Sequence, residues 1–439
     1  MTGSHMNCVG VRREDKNKWE RRAPLVPGHI KELKRDGVPF VVQPSPIRVF
    51  EDEEYRTAGA KISEDLSDCA VILAVKEIPL DLIRKNAVYL FFSHTIKGQP
   101  QNMPLLKKMM EMETTLIDYE RIVDGKNSRL LFFGTQAGQA GMIETLHALG
   151  RRFRLTSGPN PFETIRQTCS YESLVEAREQ IENVGRIIHR QGLGELPTPL
   201  VVGFSGYGRV SSGAQEIFDL LPHEEIEPND LHDLAEKRRQ TDHGLFKVVF
   251  KENHLVEPLS GRSFDLQDYY TRPEGYRSRF EHDLPFLTVL VNCIYWAPQY
   301  PRFVTKKALQ ALWRREKKPK LQVIGDISCD INGSIECTEK STTPDSPTFV
   351  YDPQSGFIKD GVSGSGVVVM SIDNLPALLP RESSLFFSRS LKEFLPSLAR
   401  ADFSGRLEDC LLPEPLRRAT ILFRGRLTPE YAYLNRHLD

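Results

Sequence analysis

Much of what would announce a function by itself is missing from this chain. It has 7 cysteines in 439 residues, Cys8, Cys69, Cys169, Cys293, Cys329, Cys337 and Cys410, an odd and scattered set without C-x-x-C spacing. That excludes a disulfide framework and a zinc ribbon, and it fits a reducing compartment. No apolar run is long enough to cross a bilayer, so no membrane is expected as a partner. The formal net charge of −1 offers no field that would gather nucleic acid. The basic run RREKKPK (314–320) is short and carries a proline, and it reads as a solvated loop. Asp326 and Asp330 have no further carboxylates at metal-binding spacing, so no metal is expected. Internal repeats and low-complexity tracts are absent as well. The opening MTGSHM (1–6) reads as an expression-tag remnant, which leaves cytoplasm and mitochondrial matrix undivided.

What is present is a rhythm. The segments CVGVRRE (8–14), PFVVQP (39–44), AVILAVK (70–76), AVYLFFSH (87–94) and TTLIDYE (114–120) are short β-rich runs separated by lengths that hold a helix or a turn. Runs that are apolar at nearly every position suit parallel strands buried on both faces, and the class is therefore α/β. In such open sheets ligands gather beyond the carboxyl ends of the strands. Arg12, Arg13, Lys76, His94 and Glu120 stand at those ends. Each alone could be an ordinary polar strand terminus, but together they assemble two arginines, a lysine, a histidine and a glutamate on one edge.

A second α/β unit follows. Leu174, Ala177, Ile181, Val184 and Ile188 recur at helical spacing, and the loop QGLGELPTP leads into VVGFSGYGRVSSGAQEIFDLLP (201–222), which reads as strand, glycine turn and helix. In that order glycines allow backbone N–H groups to approach a pyrophosphate whose charge the helix N-terminus favours. Gly206 and Gly208 fit the first two positions of G-x-G-x-x-G, Arg209 and Val210 follow, Ser211 stands at the third position and Gly213 two residues later. Glu227, roughly 20 residues beyond Gly208, lies where an acid would hold the ribose 2′-OH of NAD. VLVNCIYW (289–296) and LQVIGDISCD (321–330) read as further buried strands, with Asp326 at a structural or coenzyme-edge position.

Particular segments carry a resemblance. WERRAPLVP (19–27), VKEIP (75–79), FFSHTIK (91–97), TLIDYE (115–120), FGTQAGQAGM (133–142), NCIYW (292–296), GDISCDINGSIE (325–336) and SIDNLPALLPRE (371–382) together resemble the lysine-ketoglutarate reductase domain of bifunctional α-aminoadipic semialdehyde synthase. Parts of the pattern are shared with saccharopine dehydrogenase and the alanine dehydrogenase family. The resemblance implies two Rossmann-like lobes with mainly parallel sheets and an interlobe active-site cleft, the first lobe being 7–135 plus 372–439 and the dinucleotide-binding lobe 136–371. It implies condensation of L-lysine with 2-oxoglutarate and reduction by NADPH to saccharopine, the opening step of lysine degradation, with a saccharopine dehydrogenase domain covalently linked in the full-length protein. Lys76 and His94 match the acid and base positions of similar enzymes. Arg22 matches a carboxylate clamp, Arg21 beside it reading as a surface residue, and Lys97 matches a second cation near the histidine. Glu120 is a candidate for the lysine ammonium, for a catalytic proton or for a plain salt bridge, and Arg129 is a further substrate-binding candidate.

The coenzyme is the point of tension: the resemblance implies NADP(H), whereas Glu227 suits NAD(H), and Arg209 inside the turn could pair with a 2′-phosphate. A lysine-forming saccharopine dehydrogenase using NAD, or another amino-acid dehydrogenase of the same fold, is the second reading. A nucleotide-sensing module without turnover is the third, and the joint presence of Lys76, His94 and Arg22 argues against it.

Overall fold

β-Branched and aromatic residues at nearly every position of the apolar runs leave no face for solvent, and these runs become the central strands of two sheets. The computed structural model describes residues 6–237 and 244–438. The first five residues of the tag reading, and residues 238–243 within the 228–285 stretch that reads as an insertion of the reductase type, lie outside the described residues. The chain divides into two compact units, Met1–Phe133 with Pro380–Asp439, and Gly134–Leu379. The return to the first unit falls later than 371/372, because Ile372, Leu375, Leu378 and Leu379 are buried in the core of the second.

The first unit is built on β1 (Cys8–Val11), β2 (Phe40–Val42), β3 (Lys61–Ile62), β4 (Cys69–Leu73), β5 (Val88–Phe91) and β6 (Thr115–Asp118). They pair in parallel in the order β6-β5-β4-β1-β2-β3, so the strand order reverses at β1 and β4. Two strands from the far end of the chain, Thr420–Phe423 and Arg426–Leu427, extend the sheet beyond β6 in antiparallel fashion. Val9, Val11, Val71, Leu73, Leu90 and Leu116 are fully buried in it. Each such side chain contributes roughly 1.5–3 kcal/mol relative to exposure.

The second unit holds β7 (Leu200–Ser205), β8 (Glu224–Ile226), β9 (Leu245–Phe250), a separate ribbon of β10 (Val256–Pro258) and β11 (Tyr276–Ser278), then β12 (Val289–Asn292), β13 (Val323–Asp326), β14 (Thr348–Tyr351), β15 (Ile358–Asp360) and β16 (Val367–Met370). The large sheet runs β8-β9-β7-β12-β13-β16-β14-β15, parallel from β8 to β16 and antiparallel at β14 and β15. The segment TEKSTTPDSPTF (338–349), whose Thr, Ser and Pro content suggests a loop, ends inside β14, whose Thr348 and Phe349 are buried.

Crossing this unit is a helix at Gly134–Thr156, where the glycine-rich sequence could equally suggest a bend between lobes. Its glycines serve close approach instead. A Cβ on Gly138 would stand 1.9 Å from Val210 O, and one on Gly141 would meet Ile327 at 2.5 Å. Gly213, on the helix Arg209–Phe218, would bring a Cβ to 2.2 Å from Thr135 O. The small residues let two helix backbones nearly touch, which larger side chains would prevent.

Candidate active site

In the first unit the strand ends of β1, β4 and β5 deliver a connected set of ionisable groups. Glu14 follows β1 and is buried. One carboxylate oxygen accepts the Val75 N–H at 2.6 Å and the other the Lys76 N–H at 3.0 Å, so it fixes the backbone from which the lysine departs. Burial, with the charge of Glu20 next, raises its pKa to about 7. Lys76 is half-buried, and its pKa is lowered by desolvation first and then by the positive charges of Arg22 and Lys16. An amine so placed exchanges protons closer to neutrality than a solvated lysine does.

His94 follows β5 with φ +53, in the left-handed region that a non-glycine residue occupies only when its surroundings hold it there. Asn102 Nδ2 donates to its carbonyl at 2.8 Å, and its ring stacks on Phe92. The imidazole Nδ1 bonds Glu77 Oε1 at 2.5 Å, and Lys16 Nζ reaches Glu77 Oε2 at 3.1 Å. Burial works to raise the Glu77 pKa, but the His94 hydrogen bond and charge, the backbone and Lys16 together hold it at about 2. Glu77 is therefore a fixed anion that orients the ring and leaves Nε2 as the nitrogen available for proton exchange.

Arg22 is buried. Its Nε and Nη2 form a fork to both oxygens of Glu20 at 2.7 and 2.6 Å, and the guanidinium lies 4.3 Å from the centre of the Phe133 ring. One edge of the expected carboxylate clamp is thus engaged within the protein. Arg21 points outward and bonds Ile47 O. Arg12 is buried and paired with Asp15, whereas Arg13 pairs with Glu64 near the surface. Glu120 is bonded to Arg129 in an ion pair whose arginine end is exposed. Its backbone N–H donates to Asp118, a buried carboxylate that also receives Ser93 and whose pKa burial raises to about 6. Lys97 is exposed on the loop after His94 and enters no ion pair among the described residues.

In the second unit β7 ends in the glycine turn. Gly206 has φ +86, which requires glycine, and its N–H donates to Phe250 O at 2.8 Å. Gly208 is the N-cap of the helix Arg209–Phe218, and a Cβ built on it would find nothing within 4 Å. The first intrahelical bond runs from Ser212 N–H to Gly208 O, so the amides ahead of it point out of the helix end. An open approach to first-turn amides with no side chain in front is what a pyrophosphate needs, and a dinucleotide fits the residues present. Arg209 is exposed beside the turn, Val210 is half-buried, and Ser211 is buried and accepts Gln215 Nε2 at 2.9 Å. Gly213 belongs to helix packing, as described above. Asp326 is turned inward. Its oxygens accept Asn292 Nδ2 at 2.8 Å, Thr338 Oγ1 at 2.6 Å and the Cys329 N–H at 3.2 Å, and Asn292 in turn receives Ser205 Oγ. It ties the ends of β7, β12 and β13 together. Glu227 follows β8, which is the edge strand with β9 between it and β7. Among the described residues no group of three or more His, Cys, Asp or Glu side chains is placed to hold a metal ion, and no helix is long and apolar enough to cross a membrane.

Residues 10–140 match the family model of the alanine dehydrogenase/PNT N-terminal domain. The chain is 40% identical over 447 residues to an alpha-aminoadipic semialdehyde synthase of Arabidopsis thaliana, covering 98% of this chain and 41% of that relative. Residues 10–140 thus belong to the alanine dehydrogenase/PNT N-terminal domain family, and the chain is similar along nearly all of its length to the semialdehyde synthase. It spans well under two thirds of the length of that plant relative. A saccharopine dehydrogenase [NAD(+), L-lysine-forming] of Emericella nidulans is 27% identical over 401 residues, covering 89% of this chain and 91% of its own. A solved L-alanine dehydrogenase has the same fold, with a TM-score of 0.62 at 18% identity, covering 98% of this chain and 100% of that one.

The first unit carries ionisable groups that strand-end reasoning passed over: Glu14, Glu20 and Glu77. Glu77 directly follows Lys76, and Glu20 precedes Arg22 by two residues, so both lay in the quoted motifs. Sequence spacing does not say which way a side chain turns after a strand, and that is what makes them partners.

Proposed function

We propose that this chain is a lysine-ketoglutarate reductase, joining L-lysine to 2-oxoglutarate and reducing the imine with NADPH to give saccharopine. The observation that carries the reading is the difference between 40% identity to the semialdehyde synthase along nearly the whole chain and 27% to the lysine-forming dehydrogenase. The ionisable cluster supports it chemically. Attack of an amine on a ketone and loss of water require one group to take a proton and another to give one. Lys76, with its lowered pKa, is suited to the first task, and His94, with Nδ1 held by Glu77, to the second through Nε2. Glu14 anchors the backbone at Val75 and Lys76 and so holds the lysine in its place. Arg22, Lys97, Glu120 and Arg129 provide the charges that the carboxylates and ammonium of the substrates need. NADPH, when bound at the glycine turn, supplies the hydride to the imine carbon. Asp326 serves that turn only by bracing the strand ends.

The test mixes protein, NADPH and 2-oxoglutarate and follows the absorbance of the reduced coenzyme with and without L-lysine. Lysine-dependent oxidation supports the reading. Activity only with saccharopine and NAD would replace it with the lysine-forming dehydrogenase, and binding of coenzyme without turnover on either mixture would leave a sensor.

A further inference from the structure

The strand order of the second unit puts a different residue beside the coenzyme ribose than sequence spacing does. In a doubly wound sheet the group that meets the adenosine 2′ position stands at the carboxyl end of the strand adjacent to the glycine-turn strand. Spacing points to Glu227, but Glu227 follows β8, and β8 is the sheet edge. The strand hydrogen-bonded to β7 is β9, with Ser205 opposite Phe250 and Gly206 N–H bonded to Phe250 O. Neighbouring strands lie about 4.8 Å apart, so the end of β8 starts roughly 10 Å from β7. The first residue past Phe250 is Lys251.

Several features around Lys251 point the same way. Its side chain is exposed, and among the described residues it enters no ion pair. Arg279 is tied to the same corner by its N–H, which donates to Leu255 O at 3.0 Å. The His254 imidazole, whose Nδ1 accepts the Lys251 N–H at 3.1 Å, feels the charges of Glu227, Arg279 and Lys251 together. The neighbouring acid, Glu252, accepts the Tyr270 hydroxyl at 2.6 Å and lies beside Tyr207 of the glycine turn, so its carboxylate is already engaged. An acid at the strand end accepts a hydrogen bond from a ribose hydroxyl and repels a phosphate, and a lysine there does the reverse.

We propose that Lys251, with Arg279 beside it, recognises the 2′-phosphate of NADPH and sets the choice of coenzyme, and that Glu227 does not touch the ribose. The inference rests on the dinucleotide reading of the glycine turn. Its test is calorimetric binding, independent of turnover, of NADPH and NADH, and of adenosine 2′,5′-bisphosphate and AMP, to wild type, Lys251→Ala, Arg279→Ala and Glu227→Gln. Wild type should prefer the 2′-phosphorylated member of each pair. Lys251→Ala should weaken NADPH about 10- to 100-fold, the range for loss of a charge-assisted contact, and change NADH less than about threefold. Arg279→Ala should weaken NADPH by less than Lys251→Ala does, and Glu227→Gln should leave both coenzymes as they were. Equal loss of both coenzymes in Lys251→Ala, unchanged NADPH affinity there, or a relaxed preference in Glu227→Gln would overturn the assignment. Wild type that binds no dinucleotide at all would instead remove the glycine-turn reading on which it stands.

Discussion

Two glycines in one short stretch should respond to substitution in opposite ways. Gly208 has φ −77 and ψ −172, ordinary extended backbone that a β-branched residue adopts readily, and a Cβ there meets nothing within 4 Å. Gly208→Val should therefore leave the thermal transition of the second unit almost where it is. The branched side chain would instead occupy the approach to the first-turn amides. Losing one charge-assisted N–H contact to a pyrophosphate, at roughly 1.5–3 kcal/mol, raises the coenzyme Kd about 10- to 100-fold, and losing two raises it roughly 10² to 10⁴-fold. Gly213→Ala places its Cβ 2.2 Å from Thr135 O, about 1 Å inside ordinary contact, with backbone on both sides. The two helices must separate, and overpacking of this kind costs about 1–3 kcal/mol. For a unit of this size that lowers Tm by about 2–12 °C. Differential scanning fluorimetry and titration of coenzyme fluorescence on the two variants measure both quantities. Undiminished coenzyme affinity in a folded Gly208→Val protein, or an unshifted Tm in Gly213→Ala, would refute the corresponding half of the argument.

The proton-handling pair should show itself in turnover: Lys76→Met and His94→Gln should each lower kcat by roughly 10² to 10⁴-fold, with the double variant falling short of the product, and near-native steady-state rates in both would remove them from the mechanism. Glu77→Gln keeps the shape of the His94 partner and removes its charge, so kcat should fall while its pH profile shifts, and an unchanged profile would assign Glu77 a packing role only. Arg22→Ala takes the two-pronged bond away from the buried Glu20 carboxylate and should destabilise the first unit by roughly 1.5–3 kcal/mol in addition to raising KM; Glu20→Gln made together with it should recover part of the denaturation midpoint but not the KM. Burial raises the Glu144 pKa to about 7 from the ordinary carboxylate range, so the unfolded chain releases that proton first as pH rises. Stability should then decline between about pH 4.5 and 7, by roughly 3 kcal/mol in all. Glu144→Gln should flatten that slope in urea titrations run across the range, and an identical slope would show that the carboxyl is not protonated in the folded chain.

The α/β class and the central strands were legible because parallel strands buried on both faces leave continuous apolar runs; β1, β2, β5 and β6 fall inside the segments read that way, and β4 does so but for its first residue. The two-residue β3 and the strands Thr420–Phe423 and Arg426–Leu427 were not, since a short edge strand has little periodicity to detect. The helix Gly134–Thr156 was hidden by its own glycines, which weaken local helix propensity by about 1 kcal/mol each and make sense only against Val210, Ile327 and Phe162. The cluster was legible at Lys76 and His94 because they end strands. Its finer wiring, Glu14 beneath Lys76 and Glu20 across Arg22, depends on side-chain directions that spacing does not encode. Strand neighbours are equally silent in sequence, which is why Glu227 and Lys251 exchange places once β9 is found beside β7.

The first unit is interrupted in the chain, and synthesis on the ribosome proceeds from one end. β6 emerges with β5 on one side, but its other partner, Thr420–Phe423, is roughly 300 residues away. At about 5–20 residues per second the exposed edge of β6 waits some 15–60 s for that partner. Phe387, Leu391 and Leu416, which complete the same core, arrive equally late. The second unit, continuous from Gly134 to Leu379, can close in the meantime. The nascent protein thus carries a finished inner domain and an unfinished outer one, whose open strand edge is a natural place for a chaperone to act.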